Sequence, residues 1–452
     1  MFSELKFHLL PDFDMEIKKI FSTRNPYIIF APFLLFYVVF VILLPTNGHF
    51  GDEPYYIKFA NNLLQGFYSP QSPNVDLMYG PGYPLFLVPF IALGLPLITI
   101  TILNAVLYYF SIILLFKSLQ HFVSYKVVLA VSLFWALYYH SYEQLHLIYT
   151  ETLTSFLVSL IIFASVKVFT STNLRVKRRY IVVAGFAFGY VALVKVLFGY
   201  VLVFMLLGSL VLYLINRKEA NYLKGLLIML ISLVTVLPYL GYTYHLTGKI
   251  FYWGSSGGNN LYWMSSPHPR EYGDWTSFEI LEGKFKKFDP GAMPGRLDSI
   301  RAIHSADYEK LSKVTGVAQD ELFKELAISN IKAHPIKFVQ NCISNTGRML
   351  FFFPNTYTLQ RPINLLRIPL NAAIVFLSLF AFLITVINWR KLDYILKYVI
   401  FISLLYIGGS ILGSSEPRMF SVIVPILLFW IAYVSHNTIK INWRFSIKNE
   451  SL

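Results

Sequence analysis

NGHFGDEPYYIKFANNLLQGFYSPQSPNVDLMYGPGYPLFLVPFIALG, residues 47–94, follows the first long apolar run of the chain and governs how the rest is read. Asp52 and Glu53 stand side by side near its start, with Pro54 next. From there Tyr56, Ile57, Phe59, Ala60, Leu63, Leu64 and Phe67 recur at helical spacing, with Lys58, Asn61, Asn62 and Gln65 between them. That is an amphipathic helix, and beside an apolar run it belongs in the membrane interface with a carboxylate at its N-terminus. YGPGYP at 79–84 then leads into an apolar segment of about a dozen residues, short for a span and read as re-entrant or interfacial. Asp52, Glu53 and Pro54 are also a good helix start, with an acidic cap and Pro in the first turn. Capping and chemistry both stay open, and one residue can do both.

Composition supports the membrane reading. Of 452 residues 56% are hydrophobic and 14% charged, against about 25% charged in soluble domains. Aromatic residues make up 17%, which suits a large lipid-facing surface. The formal charge of +14 would suit nucleic acid, but much of the Lys and Arg lies in short runs between apolar segments. There it sets orientation and meets anionic head groups, so nucleic acid is not expected as a partner. The one cysteine, Cys342, excludes an intramolecular disulfide and a cysteine-based metal site. The polar start of the chain, without a cleavage site after the first apolar run, reads as a retained anchor.

Apolar runs near 27–44, 97–116, 126–140, 150–168, 180–194, 198–215, 222–244, 363–388, 394–413 and 418–437 predict about ten transmembrane helices. The run from 180 to 215 is too long for one span and is broken at Lys195. Lys18, Lys19, Arg24, Lys117, Lys126, Arg175, Lys177, Arg178, Arg179, Arg217, Lys218, Lys224, Arg390, Lys391, Lys397, Lys440, Arg444 and Lys448 then share one side. By the positive-inside rule both termini are cytoplasmic, in a multi-pass protein of the cytoplasmic membrane. The expected fold is all-α and polytopic, with interfacial juxtamembrane helices and a smaller extracytoplasmic α or α+β domain. Three units result: a membrane core at 1–244 with its first outer loop at 45–95, an extracytoplasmic domain at 245–362, and C-terminal helices with a tail at 363–452. Within the middle unit, 248–275 reads as loops, 305–314 and 319–332 as helices, and 336–353 as an interfacial amphipathic helix.

Five features share the outer side. They are Asp52 with Glu53; Glu143 and Glu151 around the 141–149 turn, with His140 and His146; Lys195; the polar residues Asn259, Asn260, His268, Arg270, Glu271 and Asp274; and Glu416 with Arg418. Ionisable groups at membrane depth cost several kcal/mol unless paired or hydrated, so they point to function. Each also has a plainer role. Lys195 can snorkel to the interface, Glu151 can serve as an N-terminal helix charge, and Glu416 and Arg418 can pair with each other. His140 and His146 are read as interfacial side chains rather than metal ligands. Together the set describes an outward cavity with an acidic pole (Asp52, Glu53) and a cationic pole (Lys195, Arg418). Tyr55, Tyr83, Glu143, Glu151, His268, Arg270 and Glu416 are its other candidate walls. Such a cavity suits transfer from a phosphate-linked lipid: a carboxylate takes a proton from the acceptor and cations stabilise the departing phosphate.

The chain resembles the polytopic GT-C glycosyltransferases, in the branch of protein O-mannosyltransferases and lipid A aminoarabinose transferases. The residues that carry the resemblance are GDE at 51–53, the helix at 55–66, 79–84 with its short following segment, and YTET at 149–152. GFAFGYVALVK at 185–195, His334-Pro335, and EPRM at 416–419 ahead of the last span complete it. It covers the membrane core but not 250–330, and its order and sidedness carry it rather than any single motif. It implies a polyprenyl-phosphate-sugar donor, Asp52 as base with Glu53 supporting it, and Lys195 and Arg418 on the donor phosphate. Where the mannosyltransferases have a second acidic motif and a His-Pro-Pro type sequence, this chain has MYGP at 78–81 and Asp76. The sugar and the acceptor (lipid, glycan or protein) therefore do not carry over. The competing expectation is a transporter or flippase of a lipid-linked or anionic solute. No cofactor is expected; a divalent cation at Asp52 and Glu53 stays open, though two adjacent carboxylates are an incomplete ligand set.

Overall fold

The computed structural model describes residues 25–277, 293, 295–360 and 362–438. Among these every regular element is helical. The membrane core begins with α1 (Ala31–Leu43), α2 (Glu53–Leu64) and α3 (Gly82–Ala92). It continues through α4 (Ile98–Leu119), α5 (Tyr125–Ala136), α6 (Thr150–Thr170), α7 (Leu174–Val194), α8 (Leu197–Ile215) and α9 (Ala220–Thr247). The segment after α9, here called the outer domain for its expected side, adds α10 (Gly257–Met264), α11 (Gly316–Ala333) and α12 (Pro335–Phe351), with short helices at Arg296–Ile303 and Ser305–Leu311. The chain returns through α13 (Pro362–Asn388), α14 (Tyr394–Leu412), α15 (Pro417–Ser421) and α16 (Val424–Thr438).

Each of the ten apolar runs falls on a helix, yet six helices among the described residues are long and apolar enough to cross a membrane. They are α4, α6, α8, α9, α14 and Arg367–Lys391 of α13. The difference is physical. With a rise of about 1.5 Å per residue, the 12 residues of α5 and 13 of α1 fall short of a hydrocarbon core of about 30 Å. Pro32 interrupts a helical run that starts at Pro26, leaving a break at Phe30. In α7 the first turns carry Arg175, Lys177, Arg178 and Arg179. These suit a head-group layer rather than lipid tails. The outward side chains of α13, among them Phe376, Leu379, Leu383 and Ile387, are exposed and apolar, as a lipid-facing surface requires.

α6 is the most deeply buried of the six and packs against α4 and α7. α7 lies close on α9 because Gly185 and Gly189 present no side chain there. A Cβ added at either would fall 2.6 Å from Ile231 Cβ or 2.5 Å from Thr235 Cβ. This is the small-residue spacing that lets membrane helices approach, and Ser232 adds a hydroxyl bond to Gly185 O at 2.9 Å.

The outer domain has its own apolar core of Tyr262, Trp263, Ile300, Leu311, Phe323 and Ala327. The helices expected at 305–314 and 319–332 form as Ser305–Leu311 and α11. The stretch read as loops contains α10, against expectation. Its first turn is held by Asp320 of α11, whose Oδ1 accepts from Gly258 N at 2.7 Å. That cap lies 62 residues away in sequence. Burial pushes the Asp320 carboxyl up, against the amide bonds it accepts.

α12 is inside out by the standard of a soluble protein. Asn341, Asn345 and Arg348 are buried, while Ile336 (75% exposed), Val339 and Ile343 face outward. A helix lying on a bilayer needs that arrangement, with its apolar stripe toward lipid and its polar stripe toward the protein.

Candidate active site

The first loop closes on itself before it offers anything to a substrate. Glu53 is 0% exposed, and its oxygens accept from Thr46 Oγ1 (2.7 and 2.8 Å), Phe50 N (2.9 Å) and Ile148 N (2.9 Å). It pins the loop after α1 to the segment entering α6. Asp52, one residue earlier, makes no side-chain cap on α2. Its Oδ2 meets Arg418 Nη1 at 2.7 Å, and its Oδ1 accepts from Tyr79 OH at 2.9 Å. The adjacent carboxylates thus face different partners. Among the described residues no three His, Cys, Asp or Glu side chains converge as metal ligands do.

Arg418 sits at the centre. Besides Asp52 it reaches Glu416 Oε2 at 3.1 Å and Glu151 Oε1 at 3.9 Å, and its guanidinium lies 4.9 Å from the centre of the Tyr149 ring. Burial alone would weaken its hold on the proton, but the carboxylates of Asp52, Glu416 and Glu151 outweigh it and raise its pKa. Lys195 Nζ bonds Glu151 Oε1 at 2.8 Å and lies 3.4 Å from Thr150 Oγ1. Glu151 is buried in the first turn of α6, while Lys195 follows the last residue of α7 and retains 13% exposure. Four separate chain segments thus meet at one end of the bundle: the loop after α1, the start of α6, the α7–α8 junction, and the turn between α14 and α16. The order of spans put them on one side, and these contacts bring them together.

Local backbone makes this possible at residues 80 and 82. A Cβ at Gly80 would lie 2.2 Å from Leu193 O, and one at Gly82 would lie 2.6 Å from Val194 N. The segment between α2 and α3 can therefore lie directly on the end of α7, placing Tyr79 beside Asp52 and next to the Lys195 junction. Tyr190 OH, donating to Gly82 O at 2.9 Å, holds it there.

Several expected walls lie elsewhere. Glu143 pairs with Arg367 of α13 at 2.7 Å and with His140 at 3.3 Å, in a separate cluster against Phe352 and Tyr139. His268 lies against His304 in the outer domain, and the Arg270 carbonyl accepts from Arg296. His304 also bonds Glu271 (3.0 Å) and Tyr262 OH (2.6 Å), so both of its ring nitrogens are engaged inside this group. Tyr83 is fully buried against Tyr56 and Phe86, and Tyr55 is half-buried beside Tyr79. An open apolar depression of about 590 Å³ is lined by Phe351, Phe353, Gln360, Leu365, Ile368 and Ala372, none of which belongs to the polar cluster. Sequence reading did not single out Tyr79 and Tyr149 as site residues, nor Arg367 as the partner of Glu143. Both tyrosines open motifs of the resemblance, YGPGYP and YTET, but those motifs alone do not say that their rings reach Asp52 and Arg418.

No family model and no curated protein sequence matches this chain. Its backbone is similar to that of the oligosaccharyltransferase of Archaeoglobus fulgidus in the apo form, with a TM-score of 0.50 at 13% identity, covering 92% of this chain and 50% of that one. The fold is GT-C-like. Weaker likeness extends to ArnT from Cupriavidus metallidurans bound to undecaprenyl phosphate, with a TM-score of 0.41 at 13% identity over 92% of this chain and 78% of that one. The chain spans about half the length of the archaeal enzyme, so the comparison concerns the GT-C membrane fold.

Proposed function

We propose that this chain transfers a sugar from a polyprenyl-phosphate-linked donor to an acceptor on the extracytoplasmic face of the membrane. The observation that carries the reading is the Asp52–Arg418 contact at 2.7 Å, with Lys195 held on Glu151 beside it. Group transfer from a lipid phosphate can use a carboxylate to take the acceptor proton and cations to stabilise the departing phosphate. The basic start of α7 lies at the opposite end of that helix from Lys195, which supports an outward site under the positive-inside rule.

In the step proposed, the acceptor O–H or N–H gives its proton to Asp52. The acceptor atom forms a bond to the anomeric carbon as the bond from that carbon to the phosphate oxygen breaks. The polyprenyl phosphate leaves carrying the electron pair, stabilised by Arg418 and Lys195. Both cations are held by carboxylates here, so phosphate binding is an exchange of partners. When the phosphate takes Arg418, the Oδ2 of Asp52 is released toward the acceptor, while Tyr79 OH, donating to Oδ1, keeps its orientation. A positioned base contributes about 10²–10⁴-fold in such reactions.

The test is purified protein in nanodiscs given a panel of radiolabelled polyprenyl-phosphate sugars, with lipid, glycan and peptide acceptors. Transfer, or slow donor hydrolysis, supports the reading. Binding without turnover for every donor, together with solute flux in liposomes, would replace it with transport.

A further inference from the structure

Arg418 is central to the site, yet it stands on a turn of its own, and what fixes that turn is α12. Asn345 is 0% exposed, and its amide group donates to Ser410 O and Ile411 O, both at 3.0 Å, and to Gly413 O. Its Oδ1 accepts from Ser415 N at 2.8 Å and from Arg348 Nη2 at 2.7 Å. Arg348, 3% exposed, donates through Nε to Ser415 O at 3.1 Å and through Nη1 to Tyr272 O and Pro354 O at 3.2 Å. Asp274 stands 3.7 Å from the same guanidinium. From the outer domain, Trp275 N donates to Ser414 Oγ at 2.6 Å. Two side chains one helical turn apart thus satisfy the last carbonyls of α14, at 410 and 411, and the backbone of 413–415 beyond its end, groups that no further helical turn would pair. The turn they hold continues directly into Glu416 and Arg418.

On the basis of the transfer reading above, we infer that Asn345 and Arg348 are positioning residues that set Arg418 against Asp52 for the donor phosphate. They act through the turn, and no contact joins them to Asp52. Placement matters at this level, because a shift of about 1 Å in a charged group at a reacting centre can cost about 10²-fold.

The test uses the full chain in nanodiscs and the isosteric variant Asn345→Asp. It keeps the acceptor for Ser415 N and Arg348 but loses the donations to three carbonyls. Amide exchange across 410–418 should speed up at least about tenfold, with α4 and α6 unchanged. The donor KM should rise about tenfold while the acceptor KM stays put. A merely misfolded fraction would lower apparent kcat without moving KM. In an Arg418→Ala background the same change should cost under about twofold, since its route is already removed. Unchanged exchange at 410–418, or a loss that multiplies with that of Arg418→Ala, would overturn the inference. If wild-type protein turns over no donor, the transfer reading falls, and the exchange experiment still decides whether Asn345 holds the turn.

Discussion

Replacing Glu53 by Ala should loosen the loop that carries Asp52 while leaving the side chains of Asp52 and Arg418 themselves in place. Two backbone amides, Phe50 N and Ile148 N, and the Thr46 hydroxyl lose their acceptor together. A hydrogen bond to a charged group contributes about 1.5–3 kcal/mol net. Two buried amides at the low end of that range give about 3 kcal/mol, or roughly a hundredfold in a local opening equilibrium. Glu53→Gln keeps one carbonyl oxygen for one of the two amides, so about half the free energy and roughly tenfold are expected. The assay is hydrogen exchange of the 46–56 and 148–150 amides in nanodiscs, with α4 as internal reference. Exchange at Phe50 and Ile148 within about twofold of wild type in Glu53→Ala would refute the claim that this carboxylate pins the loop.

Removing one partner of a buried ion pair typically costs about 3–5 kcal/mol. Lys195→Met should therefore destabilise the protein strongly, and adding Glu151→Gln should recover the thermal midpoint but not turnover. Gly80→Ala drives a methyl group onto Leu193 O. It should cost about 1–3 kcal/mol by overpacking and shift Tyr79 away from Asp52, which thermal unfolding and donor turnover measured together will show. Burial acts to raise the Glu271 carboxyl, but hydrogen bonds from His304 and Ser266 and the nearby histidine charge hold it below its usual 4.5. A depressed carboxyl contributes stability that is present above the unfolded value and is lost as pH falls through the folded one. Trp263, 4.9 Å from His304 ring to ring, should report loosening of the outer domain below about pH 4.5, and Glu271→Gln should flatten that response.

How much of this was legible in the sequence varies by the kind of signal. The helix break at Lys195, the helix start at residues 52–54 and the shared side of Asp52, Glu151, Lys195 and Arg418 all follow from hydropathy and alternation, which act locally. What failed to show depends on distant partners. Asp52 and Glu53 look alike in sequence, and the amide of Ile148, 95 residues on, joins Thr46 and Phe50 in turning Glu53 inward, while Asp52 is left for Arg418. α10 stayed hidden because Asp320 supplies its cap. Glu143 looked like a cavity wall because its partner Arg367 lies more than two hundred residues later. The amphipathic pattern of α12 was visible, but periodicity does not say which face is inside. Beside lipid the polar face turns inward, and Asn345 and Arg348 thereby come to hold the turn before Arg418.

The central claim is that Asp52 takes the acceptor proton while Arg418 holds the phosphate. Its most direct test is Asp52→Asn, close in shape but unable to act as a base, assayed for sugar transfer in nanodiscs beside wild type. The account predicts that polyprenyl-phosphate binding survives, since Arg418 is freed rather than removed, while transfer falls about 10²–10⁴-fold. Transfer at the wild-type rate with donor binding intact would contradict it.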